Sequence, residues 1–130
     1  MREVCFLLDE GGEVLWSDAS QSPSHLPDSR ERWEALWARR EVLSEVAHSH
    51  PCGPLAFSRE DETTMQALTH ALGRALRFSV VAPTATLVRE PDGSEHVLEG
   101  DAQPAWARDL RFASGMIDTS GAALRKNADP

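Results

Sequence analysis

Apolar positions along this chain come in short runs, and the period changes from run to run. Residues 3–8 (EVCFLL) and 13–16 (EVLW) are β-branched and aromatic stretches. Gly11-Gly12 lies between them after Asp9-Glu10, which predicts a β-hairpin. Residues 17–27 hold Ser, Pro, Asp and Gln and predict a loop. From 28 to 41 the period lengthens. Trp33, Leu36, Trp37 and Arg40 follow helical spacing, with Asp28 after Pro27 as the expected N-cap, Glu31 three residues on, and both tryptophans expected in the core. Residues 42–48 (VLSEVAH) alternate and predict a strand, which Pro51, Gly53 and Pro54 end. A second helix is expected over 59–74, with Met65, Leu68, Leu72 and Leu76 along one face. Residues 77–82, 84–89 and 94–98 predict three more strands, and 104–112 a last helix around Trp106, Leu110 and Phe112.

The expected order is β-β-α-β-α-β-β-β with a final helix, an α/β fold with a mixed sheet flanked by helices. The 130 residues amount to about one domain. A chain of this size buries roughly two-thirds of the surface its unfolded form exposes, so it needs no staples. The tail from Ala113 is small and polar and is expected to be flexible, leaving 1–112 as the domain and 113–130 as tail.

Charge narrows the partners. Thirteen basic against 21 acidic residues give −8, a poor match for phosphate backbones, so nucleic acid is not expected as a partner. The same charge suits a partner with a basic face. Cys5 and Cys52 are no disulfide framework of the secreted kind. The apolar run Val4 to Leu8 is far shorter than a signal-peptide core or the ~20 residues of a membrane helix. The expectation is a cytoplasmic protein without a membrane partner.

Chemistry concentrates at His48-Ser49-His50-Pro51 and Ser58-Arg59-Glu60-Asp61. Side chains two apart on a strand leave the same face, so both imidazoles can address one atom. Ten residues separate His50 from Asp61, enough for the chain to turn and return a carboxylate. Two imidazoles and one carboxylate are a usual protein share of a catalytic zinc site, with the fourth position left for water. Ser58-x-x-Asp61 also reads as a plain helix start, with Ser58 as N-cap. The two readings are compatible, because a capped helix start holds Asp61 rigid. His, His, Pro, Ser and Asp at these fixed spacings arise by chance at about one starting position in ten million.

His48-Ser49-His50-Pro51, six residues, Ser58, two residues and Asp61 match the signature H-S-H-P-x6-S-x2-D, and over residues 3–90 the chain resembles the JAMM/MPN metalloprotease family. These are zinc peptidases and isopeptidases, including prokaryotic enzymes acting on ubiquitin-like or sulfur-carrier proteins. The resemblance implies a single JAMM/MPN (cytidine-deaminase-like) domain. It implies zinc held by His48, His50 and Asp61, with Ser58 stabilising the oxyanion. The family also needs a glutamate on its first strand as general base and acid. Glu3, in Glu3-Val4-Cys5-Phe6-Leu7-Leu8, stands at the matching position, although Phe6 replaces a frequent Gly. Members usually carry a helix ahead of that strand. Here Met1 and Arg2 precede Glu3, and the segment from Trp106 to Phe112 is expected to cover the surface that helix packs.

The function implied by the resemblance is hydrolysis of a peptide or isopeptide bond at the extended C-terminal tail of a ubiquitin-like or sulfur-carrier protein. The rival is a non-catalytic MPN-type binding module, which usually loses metal ligands. A nucleoside-type zinc deaminase fits poorly, for it expects a Cys-x-x-Cys pair that this chain lacks. Of the remaining candidates, Cys52 reads as a loop cysteine near the site and Cys5 as a small core residue, while His25, His70 and His96 read as solvated.

Overall fold

The computed structural model describes residues 1–116. Nine principal elements follow in order: β1 (Val4–Leu8), β2 (Val14–Ala19), α1 (Arg30–Ala38), β3 (Glu45–Ser49), α2 (Arg59–Leu72), β4 (Arg77–Val81), β5 (Ala85–Arg89), β6 (Glu95–Glu99) and α3 (Ala105–Ser114). The strands form one six-stranded sheet in the order β2-β1-β3-β4-β5-β6. Among the described residues only β3 and β4 run parallel, joined by the α2 crossover; the other pairs are antiparallel. The expected α/β class with a mixed sheet and helices therefore holds.

The period of two along β1 divides the molecule into two cores. Cys5 and Leu7 face α1 and α2, where they join Leu36, Val46, Met65, Leu68, Leu76 and Phe78. Val4, Phe6 and Leu8 face α3 and pack with Ala47, Val81, Trp106, Ala107 and Leu110. β1 is buried along its whole length because both of its faces are covered. Burial pushes the Cys5 thiol up to about 12, so it stays neutral and packs as an apolar side chain. The segment around Trp106 does cover one face of the sheet, as expected.

Several boundaries move. β2 extends to Ala19, into the expected loop. α1 starts at Arg30, and its N-cap is Ser29 rather than Asp28: Ser29 has extended backbone, and its Oγ accepts from the Arg32 N–H at 3.0 Å. The buried stripe of α1 is Arg32, Ala35 and Leu36. Trp33 is partly buried against that core, but Trp37 is 53% exposed, with the Arg40 guanidinium stacked 4.2 Å from its ring. α2 ends at Leu72, and Gly73 closes it in the left-handed region at φ 70°. β3 starts at Glu45 instead of residue 42. Ala113 and Ser114 belong to α3, and Met116 is buried. The rest of the expected tail, 117–130, lies outside the described residues. Among the described residues no helix is long and apolar enough to cross a membrane.

Candidate metal centre

The site sits past the C-terminal end of β3, where open α/β sheets usually place ligands. His48 is the fourth residue of β3, and His50 follows the strand. The chain then turns back: the Gly53 N–H donates to the His50 carbonyl at 2.9 Å, with Gly53 at φ 71°. That turn brings the Pro54 carbonyl to 2.9 Å from His50 Nδ1. A carbonyl only accepts, so Nδ1 of His50 carries a proton towards Pro54, and Nε2 is the atom that faces the cluster. Metal-ligating histidines are oriented in this way.

Three side chains converge. His48 Nε2 and His50 Nε2 are 3.1 Å apart. Asp61 Oδ1 lies 3.1 Å from His48 Nε2, and Oδ2 lies 3.3 Å from His50 Nε2. Among the described residues these three form the one group of His, Cys, Asp or Glu side chains gathered closely enough to hold a metal ion. The group could hold one.

Asp61 is fixed by the start of α2. The Ser58 N–H donates to Asp61 Oδ2 at 2.7 Å, and the Asp61 N–H donates to Ser58 Oγ at 3.0 Å. This reciprocal pair is a capping box, so the expected cap and the expected cluster are one arrangement. Ser58 Oγ accepts in the cap, which leaves its own O–H available to donate.

The electrostatics suit a positive charge among these groups. Burial alone would raise the Asp61 carboxyl, but hydrogen bonds from His48 and His50 overcome it and hold the group far below the usual carboxylate range. Burial would lower His50, yet its bonds to Asp61 and the Pro54 carbonyl raise it. A carboxylate between two imidazoles favours cationic occupancy, whether by a proton or by a metal.

Glu3 is brought to the same place. It precedes β1 and is only 7% exposed. Its backbone is held on both sides, donating to the Ser22 carbonyl at 2.8 Å and accepting from the Ser20 N–H at 2.9 Å. Glu3, His50, Ser58 and Asp61 line one cavity of about 150 Å³. Burial raises the Glu3 carboxyl above the ordinary range, against the opposing pull of His50 and His48.

His25 lines that cavity too. It is exposed, as expected, yet stands at the cavity's rim. Its placement follows from the Ser20 and Ser22 bonds that lay the loop beside Glu3, and nothing in the local pattern announces them. Cys52 is exposed on the turn and takes no part in the cluster. His70 and His96 are exposed as expected, His96 lying 3.4 Å from Glu90.

In comparisons with known proteins, no family model matches this chain and no curated protein matches it.

Proposed function

We propose that this protein is a JAMM-type zinc metallopeptidase that hydrolyses a peptide or isopeptide bond at the C-terminal tail of a ubiquitin-like or sulfur-carrier protein. One observation carries the reading: a buried carboxylate, Glu3, shares a cavity with His50 and Asp61 of the cluster and with Ser58. A cluster alone would serve a binding module equally well. A carboxylate with a raised pKa beside it supplies the proton transfer that amide hydrolysis needs.

The donor set supports zinc. Tetrahedral bonds of about 2.0–2.1 Å set imidazole nitrogens about 3.3 Å apart, close to the 3.1 Å between His48 Nε2 and His50 Nε2. Two neutral nitrogens and one carboxylate leave a dication with net positive charge. When bound there, zinc would acidify a water molecule and polarise the scissile carbonyl.

The chain's own groups supply the rest. Glu3 accepts a proton from the attacking water and passes it to the leaving amine. Ser58 Oγ–H donates to the oxyanion as the carbonyl becomes tetrahedral. His50, held by Pro54, keeps Nε2 aimed at the cluster. Asp61 supplies the negative charge, and the capping box keeps it from swinging away.

The test combines metal analysis with hydrolysis of a ubiquitin-like tail carrying a C-terminal amide-linked fluorophore. About one zinc per chain together with zinc-dependent release supports the reading. Absence of metal after zinc reconstitution overturns it. Zinc with no release from any tail would favour the binding module.

A further inference from the structure

Away from the metal cluster, a cavity of about 390 Å³ opens on the α3 face of the sheet. The starts of β3 and β4 and parts of β5 and β6 line it, together with the β1–β2 turn and the start of α3. Glu45 opens β3 and pairs with Leu8, on the α3 face. His48 pairs with Cys5, on the opposite face and nearer the other end of the strand. Small-molecule pockets span about 300–1,000 Å³, so this cavity has the size of one.

Two buried polar groups in its lining have bonding capacity to spare. Glu45 is 5% exposed. Its Oε2 accepts from the Ser79 hydroxyl, but its Oε1 lies 3.8 Å from the Arg77 guanidinium, outside hydrogen-bond reach. Arg77 makes its close contact with Glu90 instead, at 2.8 Å. Trp106 is 7% exposed, and its indole N–H meets no acceptor among the described residues. A Cβ at Gly12 would stand 3.3 Å from Trp106 Cδ1 and 3.9 Å from Nε1, so that edge of the ring faces Gly12, which lines the cavity too. Among the described residues no fully enclosed side-chain polar atom lacks a partner, so this N–H opens on accessible space.

The lining is net negative: Asp9, Glu10, Glu45 and Glu90 outnumber Arg77 and His96 even with the imidazole protonated. A metal ion is not the match. Among the described residues only His48, His50 and Asp61 converge closely enough to hold one, so these carboxylates are too far apart to share a point charge. An elongated ligand can meet groups that are spread out. The carboxylates select a cation, and the indole N–H, which only donates, selects an acceptor. We propose that this cavity binds a small organic amine that also carries an oxygen acceptor, its ammonium at Glu45 and its acceptor at the Trp106 indole N–H. The site is separate from the proposed metallopeptidase centre and needs no metal. An occupant would give the buried Glu45 carboxylate the partner that the fold supplies only in part.

The experiment uses the full chain and three compounds of similar length, with affinities measured by calorimetry. Pentylamine carries the cation alone, pentanamide the acceptor alone, and 5-aminopentanamide both. The bifunctional compound should bind at least about tenfold more tightly than either of the others, as one added charge-assisted hydrogen bond implies. It should also raise the Tm, since it binds the folded state. Glu45→Gln removes the charge and keeps the shape. It should bring 5-aminopentanamide down to the affinity of pentanamide and leave pentanamide itself unchanged. In the NMR spectrum of labelled wild-type protein, the indole N–H resonance of Trp106, assigned through bonds, should shift as 5-aminopentanamide is added. Equal affinities for the three compounds, absence of binding, a gain that survives Glu45→Gln, or a Trp106 resonance that stays in place would each overturn the site. None of these outcomes depends on zinc, so the metal centre is judged separately.

Discussion

Ser58 and Asp61 hold each other by two reciprocal hydrogen bonds, 2.7 Å from the Ser58 N–H to the Asp61 carboxylate and 3.0 Å from the Asp61 N–H to the Ser58 hydroxyl. One residue of the pair is a proposed metal ligand and the other a proposed oxyanion donor, so a substitution at Ser58 has two separable effects. Ser58→Ala removes the cap and should cost about 1 kcal/mol, a fall in Tm of about 4 °C for a domain of this size. It should also slow hydrolysis about 10²- to 10³-fold. Ser58→Asp retains a capping oxygen and should recover the Tm without recovering the rate. A rate that recovers together with the Tm would reduce Ser58 to a cap.

Asp61→Asn keeps an oxygen for the Ser58 N–H but removes the charge that draws a cation between His48 and His50. Zinc content after dialysis against micromolar zinc should fall from about one per chain towards zero, while α2 stays folded by circular dichroism. Asp61→Ala should lose the metal as well and lower the Tm besides. Unchanged zinc in both variants would leave Asp61 as nothing more than part of a helix cap.

Glu3 is a base only when ionised, and burial raises its pKa. The rate should therefore fall with decreasing pH along a limb centred above the ordinary carboxylate value of about 4.3. Glu3→Gln should retain zinc, lose about 10²- to 10⁴-fold in rate and abolish that limb. It should not destabilise the fold at neutral pH, since it relieves the burial of a charge. Activity that survives the substitution would move the base elsewhere, with His25 the next group to examine in the same cavity.

Glu45 tests the same physics away from the metal centre. It is buried on the α3 face, accepts a hydrogen bond from the Ser79 hydroxyl and lies 3.8 Å from Arg77. Burial raises its pKa, against the pull of Ser79 and Arg77. A raised pKa means that the folded state binds the proton more tightly than the unfolded chain. The stabilisation is complete below about pH 4.3 and is lost as pH rises through the folded value. Glu45→Gln should therefore gain stability relative to wild type between pH 4 and pH 7 in urea unfolding. A relative loss over that interval would show that Arg77 outweighs the burial.

Much of this was legible because the decisive spacings are local. The apolar run in residues 3–8 predicts a strand, and β1 forms there, from Val4 to Leu8. His48 and His50 were placed together by the period of two, and Asp61 by a cap that needs only three residues to form. Long-range packing hid the rest. Nothing in the local pattern marks Glu45 as buried, yet it lies on the strand face that α3 covers and is 5% exposed. Trp37 has the spacing of a core residue, yet the buried stripe of α1 runs through Arg32, Ala35 and Leu36 and turns the ring to solvent. Asp28 looked like the better cap, and Ser29, one residue later, has the geometry.

The contacts of Arg2 tie the two ends of the fold together. Its N–H donates to the Ser114 carbonyl at 3.0 Å, its side chain to the Ala113 carbonyl at 3.2 Å, and its own carbonyl accepts from the Ser114 hydroxyl. The proposed metal ligands lie within fourteen residues of one another, whereas Arg2, the neighbour of Glu3, is tied to the last helix of the described chain. On a ribosome these parts appear at different times. The His48-His50-Asp61 cluster can close once β1, β3 and α2 have emerged, while Arg2, beside Glu3, waits for α3. Under the proposed function, a nascent chain would thus complete the candidate metal site before the segment that carries Glu3 is tied down.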